Sequence, residues 1–255
     1  MSLLEMHNIT KNFGGLSAIN DLSFKVEENT IVGLIGPNGA GKTTVFNVIC
    51  GFYQPDGGHI FFNGQEITAK RPDEIVRRGI ARTFQATRLF AERTVWENVI
   101  HGRHVRNRSG IFMAIVGGKN AQKEEHENKE KALEILDFFD LLRFQNHLGK
   151  NIPLGFQRRL AIAIALATEP KLLLLDEPAV GMNPQETSEI IDFVSRLRKQ
   201  GLAILLIEHD MKVVMGICQL VIVLNYGKKI VEGAPSEIRH NRQVIEAYLG
   251  KGAYA

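Results

Sequence analysis

A glycine-rich segment between an apolar run and a helical pattern has the spacing needed to bind phosphate. The segment reads GPNGAGKTT, from Gly36 to Thr44, and fits the pattern G-x-x-x-x-G-K-[ST] in full. Glycine lets the backbone curl so that its N–H groups point at phosphate oxygens, and the start of the following helix adds partial positive charge. A chance glycine-rich turn would need neither the strand before it nor the helix after it. The sequence therefore predicts a loop that binds the phosphates of a nucleotide.

Two side chains of this segment have specific predicted roles. Lys42 is expected to reach the β- and γ-phosphates, and the Thr43 hydroxyl is expected to bind Mg²⁺. Other residues of the loop are predicted to contact the nucleotide as well: Gly36, Asn38, Gly39, Ala40, Gly41 and Thr44.

Two acidic residues end a second apolar run, KLLLLDE. Asp176 lies at the carboxyl end of a predicted strand, where it is placed to hold Mg²⁺, and Glu177 could act as general base for an attacking water. With a phosphate loop upstream, these acids predict hydrolysis of a nucleoside triphosphate. The motifs D-x-x-G and N-K-x-D of a small GTPase are not met, because the chain has DEPA at Asp176 and NKEK at Asn128.

The apolar runs predict the scaffold that positions these groups. TIVGLI (Thr30–Ile35), KLLLLD (Lys171–Asp176) and LAILLI (Leu202–Ile207) are short continuous runs separated by helical patterns, which is typical of a parallel sheet covered on both faces. Asn63-Gly64 between apolar residues predicts a hairpin, and with LSFKV (Leu22–Val26) it predicts a small antiparallel layer near the N-terminus. The predicted fold class is therefore α/β, with a parallel sheet and a smaller β layer.

The middle of the chain has a different composition. Residues 86–157 are rich in charge and helically periodic, and we interpret them as an inserted helical subdomain. A single domain, 1–255, then has a nucleotide-binding core made of 1–85 and 158–255. Towards the end of the chain, YGKKIVEG (Tyr226–Gly233) predicts a hairpin, and Pro235-Ser236 begins the first of two short helices.

Composition and charge are ordinary for a globular protein, with 44% hydrophobic and 23% charged residues. The formal net charge of +3 is too small to indicate a nucleic-acid partner. The spacing of Cys50 and Cys218 suits no metal site. The first residues do not have the pattern of a signal peptide, and no run approaches about 18 apolar residues. We therefore expect the chain to meet a membrane only through a partner.

Five motifs, in order, resemble those of an ABC-transporter ATPase subunit, whose core is a P-loop NTPase fold. They are GPNGAGKTT, the ARTFQ that contains Gln85, LGFQRRLAIA, LLLLDEPAVGMNP, and the IEHD that contains His209. The match covers nearly the whole chain. NFGGLSAINDLSFKVE, GIARTFQ, PAVGMNP, YGKKIVEGAP and VIEAYLG most resemble the importer group for branched-chain amino acids. The lipopolysaccharide-export ATPase and urea or amide importers are also similar.

The resemblance implies ATP and Mg²⁺ as ligands, and it implies roles for further residues. Phe13 matches the aromatic residue that stacks on adenine. Gln85 matches the glutamine that contacts Mg²⁺ and the attacking water and links to the transmembrane subunit. His209 matches the switch histidine that bonds the γ-phosphate. Asn183 lies in the segment that resembles the D-loop, which faces a partner subunit.

The segment Ile152–Phe156 aligns with the family's L-S-G-G-Q signature, in which only Gly155 keeps its identity. Pro153 replaces the serine whose hydroxyl would meet the γ-phosphate, and Ile164 stands where the family often has arginine. In this family the signature loop closes the nucleotide site of a second subunit. The resemblance therefore implies an ATP sandwich between two ATPase subunits, either two copies of this chain or this chain and a similar one.

The implied partners are transmembrane permease subunits and, indirectly, a substrate-binding protein, with no nucleic acid, and the implied location is the cytoplasmic face of the cell membrane. The segment 101–118 is either a docking surface for a membrane subunit or a core helix turn followed by a solvated basic loop. A soluble ABC ATPase of DNA maintenance or translation would usually carry two nucleotide domains, coiled coils or zinc motifs. A P-loop kinase would leave Gln85, His209 and the signature unexplained.

Overall fold

The computed structural model describes residues 2–83, 89–106 and 119–249. The chain divides into two compact units. The first comprises Met1–Ile75 and Lys171–Ala255, and the second is Val76–Pro170. Among the described residues, no helix combines the length and the apolar character needed to cross a membrane.

An antiparallel sheet begins the first unit, with its strands in the order β2-β1-β4-β5. Asn63 and Gly64 form the β4–β5 turn with φ of +50° and +72°, the left-handed conformation that a two-residue hairpin requires. The predicted hairpin and the antiparallel layer are therefore confirmed. The strands are β1 (Ser2–Phe13), β2 (Leu16–Glu27), β4 (Gly57–Phe62) and β5 (Gln65–Glu66), and β3 (Ile31–Ile35) follows β2 in the chain.

A mostly parallel set of strands carries the chemistry of the first unit, in the order β10-β9-β3-β8-β7. β3 pairs in parallel with β8 and β9, and β7 pairs in parallel with β8. Every residue of β3, β7 and β8 is buried, which explains why these strands are continuously apolar. The predicted parallel sheet is confirmed. The strands are β7 (Leu172–Asp176), β8 (Ala203–Ile207), β9 (Leu220–Asn225) and β10 (Lys228–Gly233).

The helices of the first unit begin at local signals in the sequence. Asn183 caps one of them in a capping box with Glu186, and Pro184 occupies its first turn. The predicted hairpin over Tyr226–Gly233 and the two short helices after it are present. The helices are α1 (Lys42–Ile49), α6 (Pro184–Lys199), α7 (Met211–Ile217), α8 (Pro235–Arg239) and α9 (Arg242–Leu249), and α2 (Pro72–Arg78) spans the division between the units.

The second unit is mainly helical, as predicted for the insertion. Besides β6 (Ile80–Arg82) it contains α3 (Val95–Arg103), α4 (Lys119–Phe138) and α5 (Leu154–Ala167). This unit includes the whole predicted range 86–157, and it also holds β6 and residues 158–167 of α5, which we predicted from the sequence to belong to the core. The physical reason is that α5 packs against α3 and α4. The approach to α3 is close enough that a Cβ on Gly102 would lie 2.5 Å from the Ile164 carbonyl oxygen.

Candidate functional site

The predicted phosphate loop connects β3 to α1, and its glycines are required by the backbone. Gly36, Gly39 and Gly41 have φ of +151°, +78° and +103°. A Cβ at Gly36 would lie 2.2 Å from the Leu224 carbonyl oxygen, and one at Gly41 would lie 2.4 Å from that of Ala18. Side chains at these two positions would collide with fixed backbone atoms. The loop conformation therefore depends on glycine at both positions.

The phosphate loop leads directly into α1, whose first residue is Lys42. The start of the helix and the Lys42 side chain therefore both lie next to the loop. Gly41 caps α1 without a side-chain hydrogen bond, so the helix start can accept an anion. The Lys42 Nζ donates to the carbonyl oxygens of Gly36 and Pro37 at 2.7 and 3.0 Å. Burial lowers the pKa of Lys42, whereas the charges of Glu177 and Asp176 raise it. The ammonium group therefore lies within the loop and within the field of both acids.

The parallel register brings the two acids to the same sheet edge as the histidine. Asp176 ends β7 opposite Ile207, the last residue of β8, and it is only 4% exposed. The Glu177 N–H donates to the Ile207 carbonyl oxygen at 2.9 Å. His209 follows two residues after Ile207, and its Nδ1 lies 3.5 Å from the Glu177 Oε1. The candidate general base and the candidate switch histidine are therefore in direct contact.

Glu177 adopts a strained backbone conformation, with φ of +49°. A non-glycine residue in this region costs about 1 kcal/mol or more, and such strain persists only where the surroundings impose it. The conformation turns the chain sharply after Asp176, while Glu177 keeps its backbone hydrogen bond to β8. The carboxylate is thereby held next to His209, whose side chain is 60% exposed.

Glu208 is a further residue of this site, and the sequence analysis did not identify it. It is 1% exposed, and its carboxylate accepts hydrogen bonds from the Ala179 N–H at 3.1 Å and the His209 N–H at 3.2 Å. Burial raises the pKa of Glu208, while backbone hydrogen bonds from Ala179, Asp210 and His209 lower it. One carboxylate thus joins the segment after Glu177 to the segment of His209. A charged residue directly after a buried strand and before His209 was the available signal.

A Glu208→Ala variant is expected to lower kcat for ATP hydrolysis by roughly tenfold to a hundredfold, because displacement of catalytic groups by about 1 Å can have effects of that size. The substitution leaves the Ala179 and His209 N–H groups without this acceptor. Glu208→Gln keeps one acceptor oxygen and is expected to retain most of the activity. Steady-state hydrolysis by both variants checks this, and an unchanged kcat in the alanine variant would show that Glu208 does not position His209.

Phe13 is the last residue of β1 and is 42% exposed, so much of its ring is available for stacking. The Tyr53 ring meets it edge to face, with centroids 5.1 Å apart. Phe13 lies in the same compact unit as the phosphate loop. Its contact with adenine remains a prediction.

The signature segment lies in the second unit. Gly155 is the buried second residue of α5, and Pro153 is the N-cap with φ of −57° and ψ of 151°, without a side-chain capping bond. The guanidinium carbons of Arg143 and Arg159 both lie over the Phe156 ring, 4.7 and 4.6 Å from its centroid. The local rationale for Pro153, a stiff entry into a helix, therefore fits.

Of two other predicted positions, the described residues include Asn183 but not Gln85. Asn183 uses its side chain to cap α6, where its Oδ1 accepts from the Glu186 N–H at 3.0 Å. Gln85 lies outside the described residues, as do residues 107–118 of the segment 101–118, for which a docking surface and a core turn with a solvated loop were the two alternatives. The structure brings together Lys42, Asp176, Glu177 and His209.

Known sequences match this chain over nearly its whole length. A family model described as ABC transporter matches residues 19–180, and one described as branched-chain amino acid ATP-binding cassette transporter matches residues 228–254. The chain is 43% identical to the high-affinity branched-chain amino acid transport ATP-binding proteins BraF of Pseudomonas aeruginosa and LivG of Escherichia coli, over 98% of each chain. It is 33% identical to the lipopolysaccharide export system ATP-binding protein LptB of Haemophilus influenzae, also over 98% of each chain.

Solved structures of ATP-binding cassettes have the same fold as this chain. A nucleotide-free ATP-binding cassette from an ABC transporter superposes with a TM-score of 0.86 at 34% identity, covering 98% of this chain and 100% of that one. A dimeric cassette in a post-hydrolysis state, bound to ADP and Pi, superposes with a TM-score of 0.76 at 26% identity, covering 91% of this chain and 99% of that one.

Proposed function

The chain belongs to the ABC transporter family of ATP-binding subunits, and from this premise we propose that it energises a membrane importer for branched-chain amino acids. It is an ABC-type ATP hydrolase. The observation that carries the proposal is the convergence of Lys42, Asp176, Glu177 and His209 at one edge of the parallel sheet. The resemblance of residues 228–254 to the branched-chain amino acid cassettes supports the substrate class.

In the proposed mechanism the phosphate loop and the start of α1 bind the triphosphate, and Lys42 neutralises the β- and γ-phosphates. The Glu177 carboxylate accepts a proton from the attacking water, whose oxygen forms a bond to the γ-phosphorus as the bond from that phosphorus to the β–γ bridging oxygen breaks and ADP leaves. His209, held beside Glu177, donates a hydrogen bond to the γ-phosphate and keeps the carboxylate oriented. Glu208 fixes the backbone of His209.

The oxygen donors of this edge suit Mg²⁺, which prefers carboxylate, hydroxyl, phosphate and water ligands. Asp176 and Thr43 would hold the ion, with Gln85 as the third predicted ligand. Among the described residues there is no group of three or more His, Cys, Asp or Glu side chains that could bind a metal alone. Bound Mg²⁺ would neutralise charge on the β- and γ-phosphates.

The proposed active form contains two ATPase subunits, as in the dimeric relative bound to ADP and Pi. Each signature loop would close the partner's nucleotide site through backbone N–H groups at the start of α5, because Pro153 has no hydroxyl to offer. ATP would then bind the subunits together, and hydrolysis with product release would let them separate. Permease subunits attached to them would follow, and we expect the chain to lie peripherally on the cytoplasmic face of the membrane.

A Gly155→Asp variant is expected to block dimer formation by ATP and to reduce hydrolysis at least tenfold, because a carboxylate would face phosphates across the interface. Aspartate is favourable in the first turn of a helix, but Gly155 is buried, so thermal unfolding of the variant is compared with that of the unmodified protein to confirm that α5 still forms. The matched Pro153→Ser variant is expected to keep or raise activity. The measurement is ATP hydrolysis in the assembled transporter, and normal turnover by Gly155→Asp would mean that this loop does not face nucleotide.

Lipopolysaccharide export is the second candidate, favoured by the 33% identity to LptB. Co-purification from membranes followed by mass spectrometry distinguishes the two. Permease subunits and a second ATPase of an amino acid importer are expected, together with ATP-dependent leucine uptake that a Lys42→Ala variant abolishes. Recovery of an export complex would favour the second candidate. Recovery with DNA or ribosomes and no permease would contradict both.

A further inference from the structure

The loop that follows α1, residues 52–56, is attached to the last turn of that helix. The N–H groups of Phe52 and Tyr53 both donate to the Asn47 carbonyl oxygen, at 2.9 and 3.2 Å. Before them, Gly51 has φ of +72°, and a Cβ there would lie 2.4 Å from the Lys70 carbonyl oxygen. The loop therefore leaves α1 along a path set by backbone bonds and by a position that needs glycine.

The other end of the same loop is attached to β1. The Asp56 N–H donates to the Thr10 carbonyl oxygen at 2.8 Å. The Asp56 carboxylate accepts from the Lys11 Nζ at 2.8 Å and from the Asn12 N–H at 2.6 Å. These bonds hold the pKa of Asp56 below its usual range, the one from Lys11 having the largest effect. Three consecutive residues at the end of β1 are thus bonded to one loop residue.

Phe13 follows these three residues, and its ring has two neighbours, Tyr53 and Lys11. The Tyr53 ring contacts it with centroids 5.1 Å apart and planes inclined by 74°. The Lys11 Nζ, which also bonds Asp56, lies 5.5 Å from the centroid of the Phe13 ring. Edge-to-face packing and a cation over a ring are both attractive arrangements. The Phe13 ring is therefore oriented by contacts, while 42% of the residue stays exposed.

Through helix α1, these contacts link the phosphate loop to the ring of Phe13. Helix α1 begins at Lys42 in the phosphate loop and spans eight residues, about 12 Å at 1.5 Å per residue. Its C-terminal end carries the loop that supports Phe13. The position of the aromatic ring is thereby fixed relative to the phosphate loop, although Phe13 ends β1 and Lys42 begins α1.

We propose that Tyr53 is a positioning residue for the nucleobase: its ring orients Phe13 as a stacking surface at a fixed distance from the phosphate loop. This inference rests on the proposed function, in which Phe13 stacks on adenine. It predicts a loss of affinity that concerns only the base and leaves phosphate binding unchanged.

The test compares the dissociation constants of ATP and of inorganic tripolyphosphate, measured by calorimetry on the full chain. Phe13→Ala is expected to weaken ATP binding about five- to tenfold, as loss of base stacking does, and to change tripolyphosphate binding less than about twofold. Tyr53→Ala is expected to weaken ATP binding about three- to tenfold with tripolyphosphate again unchanged. Tyr53→Phe keeps the ring and should bind both like the unmodified protein.

The double variant Phe13→Ala/Tyr53→Ala is expected to be no weaker than Phe13→Ala alone, because Tyr53 acts through Phe13. Additive losses, or equal weakening of ATP and tripolyphosphate by Tyr53→Ala, would overturn the inference. The inference would also be overturned if Tyr53→Ala bound ATP with normal affinity while Phe13→Ala bound it more weakly. In that case the stacking role of Phe13 would still hold. If Phe13→Ala itself binds ATP normally, the stacking assignment fails together with the inference.

Discussion

A Glu177→Gln variant is expected to bind ATP with near-normal affinity and to hydrolyse it roughly 10²- to 10⁴-fold more slowly, the range measured for removal of a general base. Glutamine occupies the same volume but cannot take a proton from water. The N–H bond of Glu177 to Ile207 belongs to the backbone and is unaffected. We therefore expect the carboxyl ends of the parallel strands to keep their fold in this variant, while ATP hydrolysis is lost.

The same variant is expected to accumulate as an ATP-bound dimer, because hydrolysis is the step that would let the subunits separate. Size-exclusion chromatography with and without ATP, together with steady-state hydrolysis, provides the measurement. Glu134→Gln, which changes an exposed carboxylate of α4, is the matched control and should turn over normally. A monomer with near-normal turnover in Glu177→Gln would contradict both the role of general base and the dimer.

Substitution of Lys42 by alanine is expected to weaken ATP binding by roughly tenfold to a hundredfold. A hydrogen bond to a charged group contributes about 1.5–3 kcal/mol, and each 1.4 kcal/mol corresponds to a factor of ten in affinity. The Lys42 ammonium is already held inside the loop by the carbonyl oxygens of Gly36 and Pro37. Alanine leaves the glycine conformations in place and removes only the cation.

Binding of ATP and of tripolyphosphate by calorimetry checks this prediction, and both ligands should weaken together because Lys42 acts on phosphate. That pattern differs from the base-specific loss expected for Tyr53→Ala. Lys199→Ala, at the exposed end of α6, serves as the control for removal of a positive charge. Unchanged nucleotide affinity in Lys42→Ala would contradict the assignment of the phosphate loop.

Much of the fold could be predicted because its signals are local. The glycines of the phosphate loop are required by positive φ, and the buried strands β3, β7 and β8 are continuously apolar because both faces are covered. The sequence did not identify β1 as a strand. Its pairing with β2 and β4 has irregular register, and Asn8 has φ of +51°, so the alternation that marks a half-buried strand is interrupted.

The end of the helical unit also could not be predicted from the sequence. The pattern of α5 fits a helix in either unit, since an amphipathic helix shows that it has a buried face but not which neighbour covers it. Close packing on α3, allowed by Gly102 against Ile164, places α5 in the second unit.

The groups that could do the chemistry can be recognised in the sequence: a lysine in a glycine-rich loop, two acids after an apolar strand, and a histidine after another. The tertiary structure brings them together, because parallel pairing of β7 with β8 and of β8 with β3 aligns the strand ends. It also decided what Glu208 and Tyr53 contact. Spacing along the chain determines local backbone geometry. Contacts between residues that are far apart in the chain, such as Glu177 and His209, depend on which elements pair and in which register.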